Sequence, residues 1–167
     1  MDEYTAPNEV NIADDDNVIA ALLENAKTAP NRPALAYREG DSFIDVSTAD
    51  FASTVRELAA GLIGLGIEPG DRVCIFMKTR IEFTYLDYAI WCVGATTVTI
   101  YETSSAEQVE WIVSDSEAVA IICGNPELRA RFESISEQTP DCRHVLTVGA
   151  GAIDGLRESG ENVNQSA

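Results

Sequence analysis

The chain has 167 residues, 46% of them hydrophobic, and its 28 acidic side chains outnumber 11 lysines and arginines, which gives a formal net charge of -17. This length and composition predict one folded, soluble domain with a hydrophobic core. The negative charge excludes nucleic acid and an anionic membrane surface as favoured partners, because both would repel the chain.

The first part of the chain predicts a flexible segment, a helix and a hairpin. Residues 1–16 are acidic and polar, with little to bury and no resemblance to a secretory signal. We therefore expect a flexible N-terminus and a cytoplasmic protein. Apolar residues at helical spacing predict a helix over 18–26. Segments 34–38 and 42–46 predict two short strands joined by a hairpin turn at Gly40.

A long helix and a buried strand are predicted next. Ser47 has the side-chain oxygen of an N-cap, and an apolar stripe over 51–65 is typical of a helix with one buried face. Gly66 is suited to end this helix. A Pro-Gly turn at 69–70 then leads into an apolar strand at 73–77.

The remaining elements alternate between helix and strand. We expect strands at 96–100, 118–123 and 145–148, and helices at 81–93, after Ser104, and from 126 to about 136. Ser104 with Glu107 predicts a capping box, and Asn125 before a proline predicts an N-cap. Residues 149–167 are small and polar and offer no complete further unit.

Strands that alternate with helices of this length predict an α/β fold, with a layered parallel β-α-β sheet and helices on both faces. We expect this α/β subdomain to span residues 17–148, with 149–167 as a polar tail or the start of a further region. The longest apolar runs, such as 93–100, are far shorter than the roughly 20 residues of a membrane-spanning helix.

Two glycine-rich segments are candidates for nucleotide-binding loops. Segment 61–66 closes a predicted helix, whereas a phosphate-binding loop opens one, so helix packing and a C-cap are favoured. Segment 149–155 misses the dinucleotide-binding spacing, so an edge loop is favoured. A small nucleotide-binding oxidoreductase is thus the least favoured class. A response-regulator receiver is also disfavoured, because the strand ending at Met77 lacks the required aspartates.

Charged residues near strand ends are candidate ligand-binding groups. Arg80 and Glu82 open a helix at the carboxyl end of a strand, where ligands bind in open α/β sheets. This position makes Arg80 and Glu82 better candidates for ligand binding than the other charged pair, Asp71 and Arg72. A structural role is still the favoured interpretation for both pairs. Asp71 and Arg72 follow a Pro-Gly pair, which favours a turn and a strand edge.

The serine, histidine and cysteine residues singled out here do not show the sequence spacing of a catalytic site. Ser104 and Ser105 have no base nearby in the sequence, so helix capping is favoured over nucleophilic catalysis. His144 has neither metal-ligand nor triad spacing and is interpreted as structural. Six further residues are interpreted as reduced core cysteines and core aromatics: Cys74, Cys92, Cys123, Cys142, Trp91 and Trp111. We assign no catalytic, cofactor-binding or metal-binding residue to this chain.

Four segments together carry a family resemblance. They are GIEPGDRV at 66–73, TRIEF at 79–83, DYAIW at 87–91 and IYETSSAEQ at 100–108. In combination they resemble the bacterial long-chain branch of the AMP-forming acyl-CoA synthetases, over residues 17–148. Thr99 is a departure, because that branch usually has proline there.

The resemblance implies the N-terminal part of a long-chain fatty-acid-CoA ligase, with the fold of the N-terminal subdomain of acyl-adenylating enzymes. The complete enzyme would use ATP, Mg²⁺ and coenzyme A. It would lie in the cytoplasm, peripheral to the inner face of the membrane. The family's phosphate-binding loop, ribose-binding aspartate and catalytic lysine do not occur here. This chain alone is therefore expected to be inactive and to bind neither ATP, Mg²⁺ nor coenzyme A. Its partners would be the rest of the ligase, or further copies through exposed apolar surface. The alternative is a stand-alone, non-catalytic binding or regulatory module.

Overall fold

The computed structural model describes residues 13, 16–160 and 163. Helix α1, Val18–Thr28, begins where the Asn17 side chain accepts a hydrogen bond from the Ala20 amide. Strands β1, Pro33–Glu39, and β2, Ser42–Ser47, form an antiparallel hairpin. The predicted helix and hairpin are confirmed. The flexible segment predicted at 1–16 lies outside the described residues, apart from Ala13 and Asp16.

A second sheet contains four parallel strands. They are β3 (Arg72–Phe76), β4 (Thr96–Ile100), β5 (Ala120–Cys123) and β6 (His144–Thr147). Their order across the sheet is β4-β3-β5-β6, and each neighbouring pair is parallel. The predicted parallel α/β fold is confirmed.

Five more helices follow the hairpin in the described part of the chain. They are α2 (Thr48–Gly64), α3 (Ile81–Cys92), α4 (Ala106–Asp115), α5 (Pro126–Glu133) and α6 (Ala152–Gly160). Two short 3₁₀ turns, Ser136–Gln138 and Val148–Ala150, lie on either side of β6. None of the described helices is long and apolar enough to span a membrane.

The helices cover both faces of the parallel sheet because side chains alternate along each strand. Val73 and Ile75 of β3 face a buried cluster formed with helices α2, α3 and α6. Cys74 and Phe76 point the other way, into a cluster with α4 and α5. Around this sheet the core therefore consists of two layers of apolar side chains, one on each side. A third buried cluster joins α1, the hairpin and α2.

Helix capping agrees with the sequence at two sites and differs at a third. The Ser47 and Asn125 side chains accept hydrogen bonds from the amides of the third residue beyond, as predicted. At α4 the prediction is wrong by one residue. The capping box pairs Ser105 with Gln108, rather than Ser104 with Glu107, and both reciprocal hydrogen bonds are present.

Helix α6 is the largest difference from the sequence analysis, which found no complete unit beyond residue 148. The helix packs on α2 at a close crossing: a Cβ placed on Gly61 would lie 2.2 Å from the Leu156 carbonyl oxygen. Leu156 is buried in this interface, and Arg157 forms an ion pair with Glu57 at 2.9 Å. The glycines of α2 thus serve helix packing, as predicted for segment 61–66.

Three residues interpreted as core lie at the surface. Trp111 is 65% exposed, Trp91 is 37% exposed, and Cys92 is also exposed. The Trp91 ring nevertheless packs against the Tyr88 ring, with 5.1 Å between the ring centres. An aromatic or thiol side chain on a helix was therefore not enough to predict burial. Cys74 and Cys123, in the strands, are fully buried as expected.

Candidate functional site

A cleft of about 290 Å³ lies at the carboxyl ends of β3, β4 and β5, and we call it the carboxyl-end cleft. It is lined by Met77, Lys78, Arg80, Glu102, Gly124, Asn125, Glu127, Leu128 and Arg131. The helices that follow β3 and β5 leave toward opposite faces of the sheet. This is the topological switch point, where open α/β sheets bind ligands.

Close packing at Gly124 shapes the floor of the cleft. A Cβ on Gly124 would lie only 2.5 Å from the Cβ of Met77, the residue that follows β3. The amide of Gly124 donates to the Phe76 carbonyl at 2.9 Å. The loops after the two strands therefore touch, and a larger residue at 124 would force them apart.

Arg80 and Glu82 form a bidentate ion pair at the cleft. Arg80 donates from Nε to Glu82 Oε2 at 2.6 Å and from Nη2 to Oε1 at 2.5 Å. The hydrogen bonds from Arg80 lower the pKa of Glu82, and the same contact raises the pKa of Arg80. Sequence analysis placed both residues at this edge of the sheet. The structure shows that they bind each other, which orients Arg80 but occupies part of its donor capacity.

Arg131 contacts the carboxyl ends of two neighbouring strands. Its Nη1 donates to the Glu102 and Ser104 carbonyl oxygens, each at 2.8 Å. Its guanidinium carbon lies 5.9 Å from the centre of the buried Phe76 ring. Sequence analysis did not single out Arg131, because along the chain it is only a helix residue four positions after Glu127. Only the meeting of strand ends in a parallel sheet could have indicated its role.

The other candidate residues from the sequence have structural roles. Asp71 accepts a hydrogen bond from the Glu68 amide, and Arg72 binds carbonyls at the amino end of the sheet, away from the cleft. Ser105 caps α4, and His144 begins β6. Within residues 16–160, no group of three or more histidine, cysteine, aspartate or glutamate side chains is arranged to hold a metal ion.

A larger cavity, of about 380 Å³, lies elsewhere, between α1, β1, α2 and α3. Its walls include Leu22, Phe51 and Tyr88, with Thr48 at one side. The Thr48 hydroxyl donates to the carbonyl oxygen of Ala29, so it is engaged in holding the chain between α1 and β1. We favour the smaller cleft as the candidate site, since it lies at the strand ends and contains convergent charged groups.

The fold and cleft define an open α/β domain with a cleft at its topological switch point. The family model of the AMP-binding enzymes matches residues 22–166. The chain therefore belongs to the AMP-binding enzyme family.

The curated relatives include much longer proteins. A long-chain-fatty-acid-CoA ligase, FadD15 of Mycobacterium bovis, is 40% identical over 98% of this chain, which spans only 28% of that protein. The Mycobacterium tuberculosis FadD15 is 39% identical, with the same coverage. A different relative, the uncharacterized protein Rv1549 of Mycobacterium tuberculosis, is 39% identical over 62% of this chain and 58% of its own length.

Solved structures share the fold. The N-terminal domain of FACL13 from Mycobacterium tuberculosis superposes with a TM-score of 0.73 and 26% identity, over 89% of this chain and 36% of that one. A long-chain-fatty-acid-CoA ligase, FadD1 of Archaeoglobus fulgidus, gives a TM-score of 0.76 at 22% identity, over 85% of this chain and 29% of that one. The predicted likeness to the N-terminal region of acyl-CoA ligases is confirmed.

Proposed function

We propose that this chain is the N-terminal part of an AMP-forming long-chain fatty-acid-CoA ligase. In that reaction a fatty carboxylate attacks the α-phosphate of ATP and pyrophosphate leaves. The thiol of coenzyme A then attacks the acyl carbon and AMP leaves. The observation that carries the proposal is the 40% identity to FadD15, which extends over 98% of this chain.

Within such an enzyme, this domain would support the active site rather than form it. The family's phosphate-binding loop, ribose-binding aspartate and catalytic lysine do not occur between Met1 and Ala167. The described residues also offer no carboxylate cluster suited to Mg²⁺. We therefore place the ATP, Mg²⁺ and coenzyme A sites in other parts of the ligase. We place the reaction in the cytoplasm, peripheral to the inner face of the membrane.

A pull-down with an assay tests this proposal. An antibody raised against this chain should detect, in source cells, a polypeptide several times heavier than 18.0 kDa. The captured polypeptide should release pyrophosphate from ATP when given Mg²⁺, coenzyme A and a long-chain fatty acid, whereas the purified 167-residue chain should not. Omission of the fatty acid is the control. A heavy polypeptide without fatty-acid-dependent release would overturn the ligase assignment.

The second candidate is a stand-alone binding or regulatory module. Rv1549 favours it, because the match covers 58% of that protein, about twice the share seen for FadD15. A module requires a partner, and a ligase fragment does not. Two results together would support the module. The chain would be detected in source cells as a separate 18.0 kDa polypeptide, and a ligase would co-purify with it in stoichiometric amount.

A further inference from the structure

We infer that Arg131 is a positioning residue for the ligation reaction: it fixes loop 101–105 at the rim of the carboxyl-end cleft. This inference rests on the proposed function, because it assigns Arg131 a role in that reaction. Loop 101–105 joins β4 to α4 and contains Glu102, which lines the cleft. The loop also contains Tyr101, whose side chain is 81% exposed.

Arg131 holds this loop through its backbone. The two hydrogen bonds from Nη1 go to carbonyls on either side of Thr103, at Glu102 and Ser104, both at 2.8 Å. They join a charged donor to backbone acceptors that lie beyond the end of β4, so they are charge-assisted. The loop conformation is therefore set by a side chain from a different β-α unit.

Arg131 is itself held in place from three directions. Its guanidinium lies over the ring of Phe76, which is fully buried at the end of β3. Nη2 is 3.4 Å from Glu127 Oε1, one helical turn earlier. Helix α5, which carries Arg131, is capped by Asn125, two residues after the end of β5. One side chain thus ties together the carboxyl ends of β3, β4 and β5.

The position of the Arg131 contacts indicates a role in the cleft in addition to a contribution to stability. The opposite end of the sheet has a comparable arrangement, in which Arg72 donates to the carbonyls of Ser116 and Glu117 at 2.6 and 3.0 Å. That end is remote from the cleft, whereas Arg131 lines it. Ligands approach open α/β sheets at the carboxyl ends of the strands, so a fixed loop there presents Tyr101 and Glu102 in one position.

Two lysine variants separate positioning from stability. Arg131→Lys keeps the charge and most of the stem but loses the planar fork, and Arg72→Lys makes the same change at the other end of the sheet. Both variants are made in the full-length polypeptide that contains this chain in source cells. The measurements are the thermal midpoint, fatty-acid-dependent pyrophosphate release, and hydrogen exchange at the Ser105 and Gln108 amides, which make the capping box.

We expect similar falls in thermal midpoint for both variants. Only Arg131→Lys should speed exchange at Ser105 and Gln108 and lower kcat/KM, by at least about tenfold, since small displacements near a reacting centre are costly. Equal activity of the two variants, or unchanged exchange in Arg131→Lys, would overturn the inference. If the unmutated polypeptide lacks fatty-acid-dependent pyrophosphate release, the ligase proposal fails, and the positioning role in ligation fails with it. The difference in hydrogen exchange between Arg131→Lys and Arg72→Lys then shows separately whether Arg131 holds the loop.

Discussion

Arg72 binds Glu117 twice, through the backbone and through the side chain. Its Nη2 donates to the Glu117 carbonyl oxygen at 3.0 Å and to Oε2 at 2.8 Å, while Nε donates to the Ser116 carbonyl at 2.6 Å. Glu117 has a φ of +49°, in the left-handed region, and directly follows Ser116, the C-cap of α4. The arginine of the GDRV segment therefore caps the carbonyls at the C-terminus of α4.

This capping role predicts unequal effects of two substitutions. Arg72→Ala should lower the free energy of unfolding by about 1–3 kcal/mol, because the partly buried Ser116 carbonyl and the exposed Glu117 carbonyl both lose charge-assisted hydrogen bonds. Glu117→Gly should change it by less than about 1 kcal/mol, since relief of the positive φ offsets loss of an exposed ion pair. Urea denaturation of both variants checks this. A greater loss for Glu117→Gly would show that the side-chain ion pair dominates.

The α2–α6 crossing predicts a steric effect at one glycine and not at another. Gly61→Ala should destabilise the chain by at least about 2 kcal/mol, because the new methyl would collide with the Leu156 backbone. Gly155→Ala, in α6, meets nothing within 4 Å and should stabilise by about 0.5–1 kcal/mol through helix propensity. Thermal denaturation compares the two variants. Equal stability would contradict the close crossing.

Thiol accessibility predicts selective alkylation. Burial raises the pKa of Cys74 and of Cys123 to about 12, and that of Cys142 to about 11. Cys92 is exposed, although partial burial raises its pKa above the ordinary 9.0. Iodoacetamide at pH 8 should therefore modify Cys92 first, at a rate that keeps increasing beyond pH 9. Peptide mapping by mass spectrometry identifies the site, and prior modification of Cys74 would contradict the structure.

The Arg80–Glu82 pair predicts a stability difference that depends on pH. The pKa of Glu82 is lowered below its ordinary 4.5 in the folded state, so its contribution is present at neutral pH and is lost as pH falls through the folded pKa. Glu82→Gln should therefore lower the thermal midpoint at pH 7, and the difference should shrink below pH 4.5. The exposed Glu137 supplies the control, Glu137→Gln. A constant difference from pH 7 to pH 3 would rule out the ionic contribution.

Exposed aromatic side chains predict self-association of the isolated chain. Phe43, Tyr101 and Trp111 are 74%, 81% and 65% exposed, and large apolar side chains at a surface favour association. Sedimentation should show an average mass that rises with protein concentration. The triple variant with serine at these positions should remain monomeric under the same conditions. A monomeric unmutated chain would contradict this prediction.

Local signals in the sequence were enough where the local chain sets the structure. Gly40 takes a φ of +58° in the hairpin turn, and Asn125 before proline caps α5, both as predicted. At α4, two adjacent serines each have a capping partner three residues later, so sequence alone could not choose between them. The choice of Ser105 also places the Ser104 carbonyl where Arg131 binds it.

Features that depend on distant residues were missed. Helix α6 has glycines at 155 and 160 and only three apolar side chains, Ala152, Ile153 and Leu156, and it depends on the glycine at 61 for its packing surface. The contacts of Arg131 depend on the strand order, which brings α5 beside the loop after β4. The candidate cleft could be located from strand ends, whereas the residue that organises it could not.

The strand order β4-β3-β5-β6 also sets the sequence of events as the chain emerges from a ribosome. β3 can pair with β4 early, but its other edge stays open until residues 120–123 have been synthesised. Until then, the apolar faces of β3 lack part of their cover, and a nascent chain in that state exposes a sheet edge to other chains. Synthesis through β5 therefore marks the point at which the centre of this sheet becomes protected.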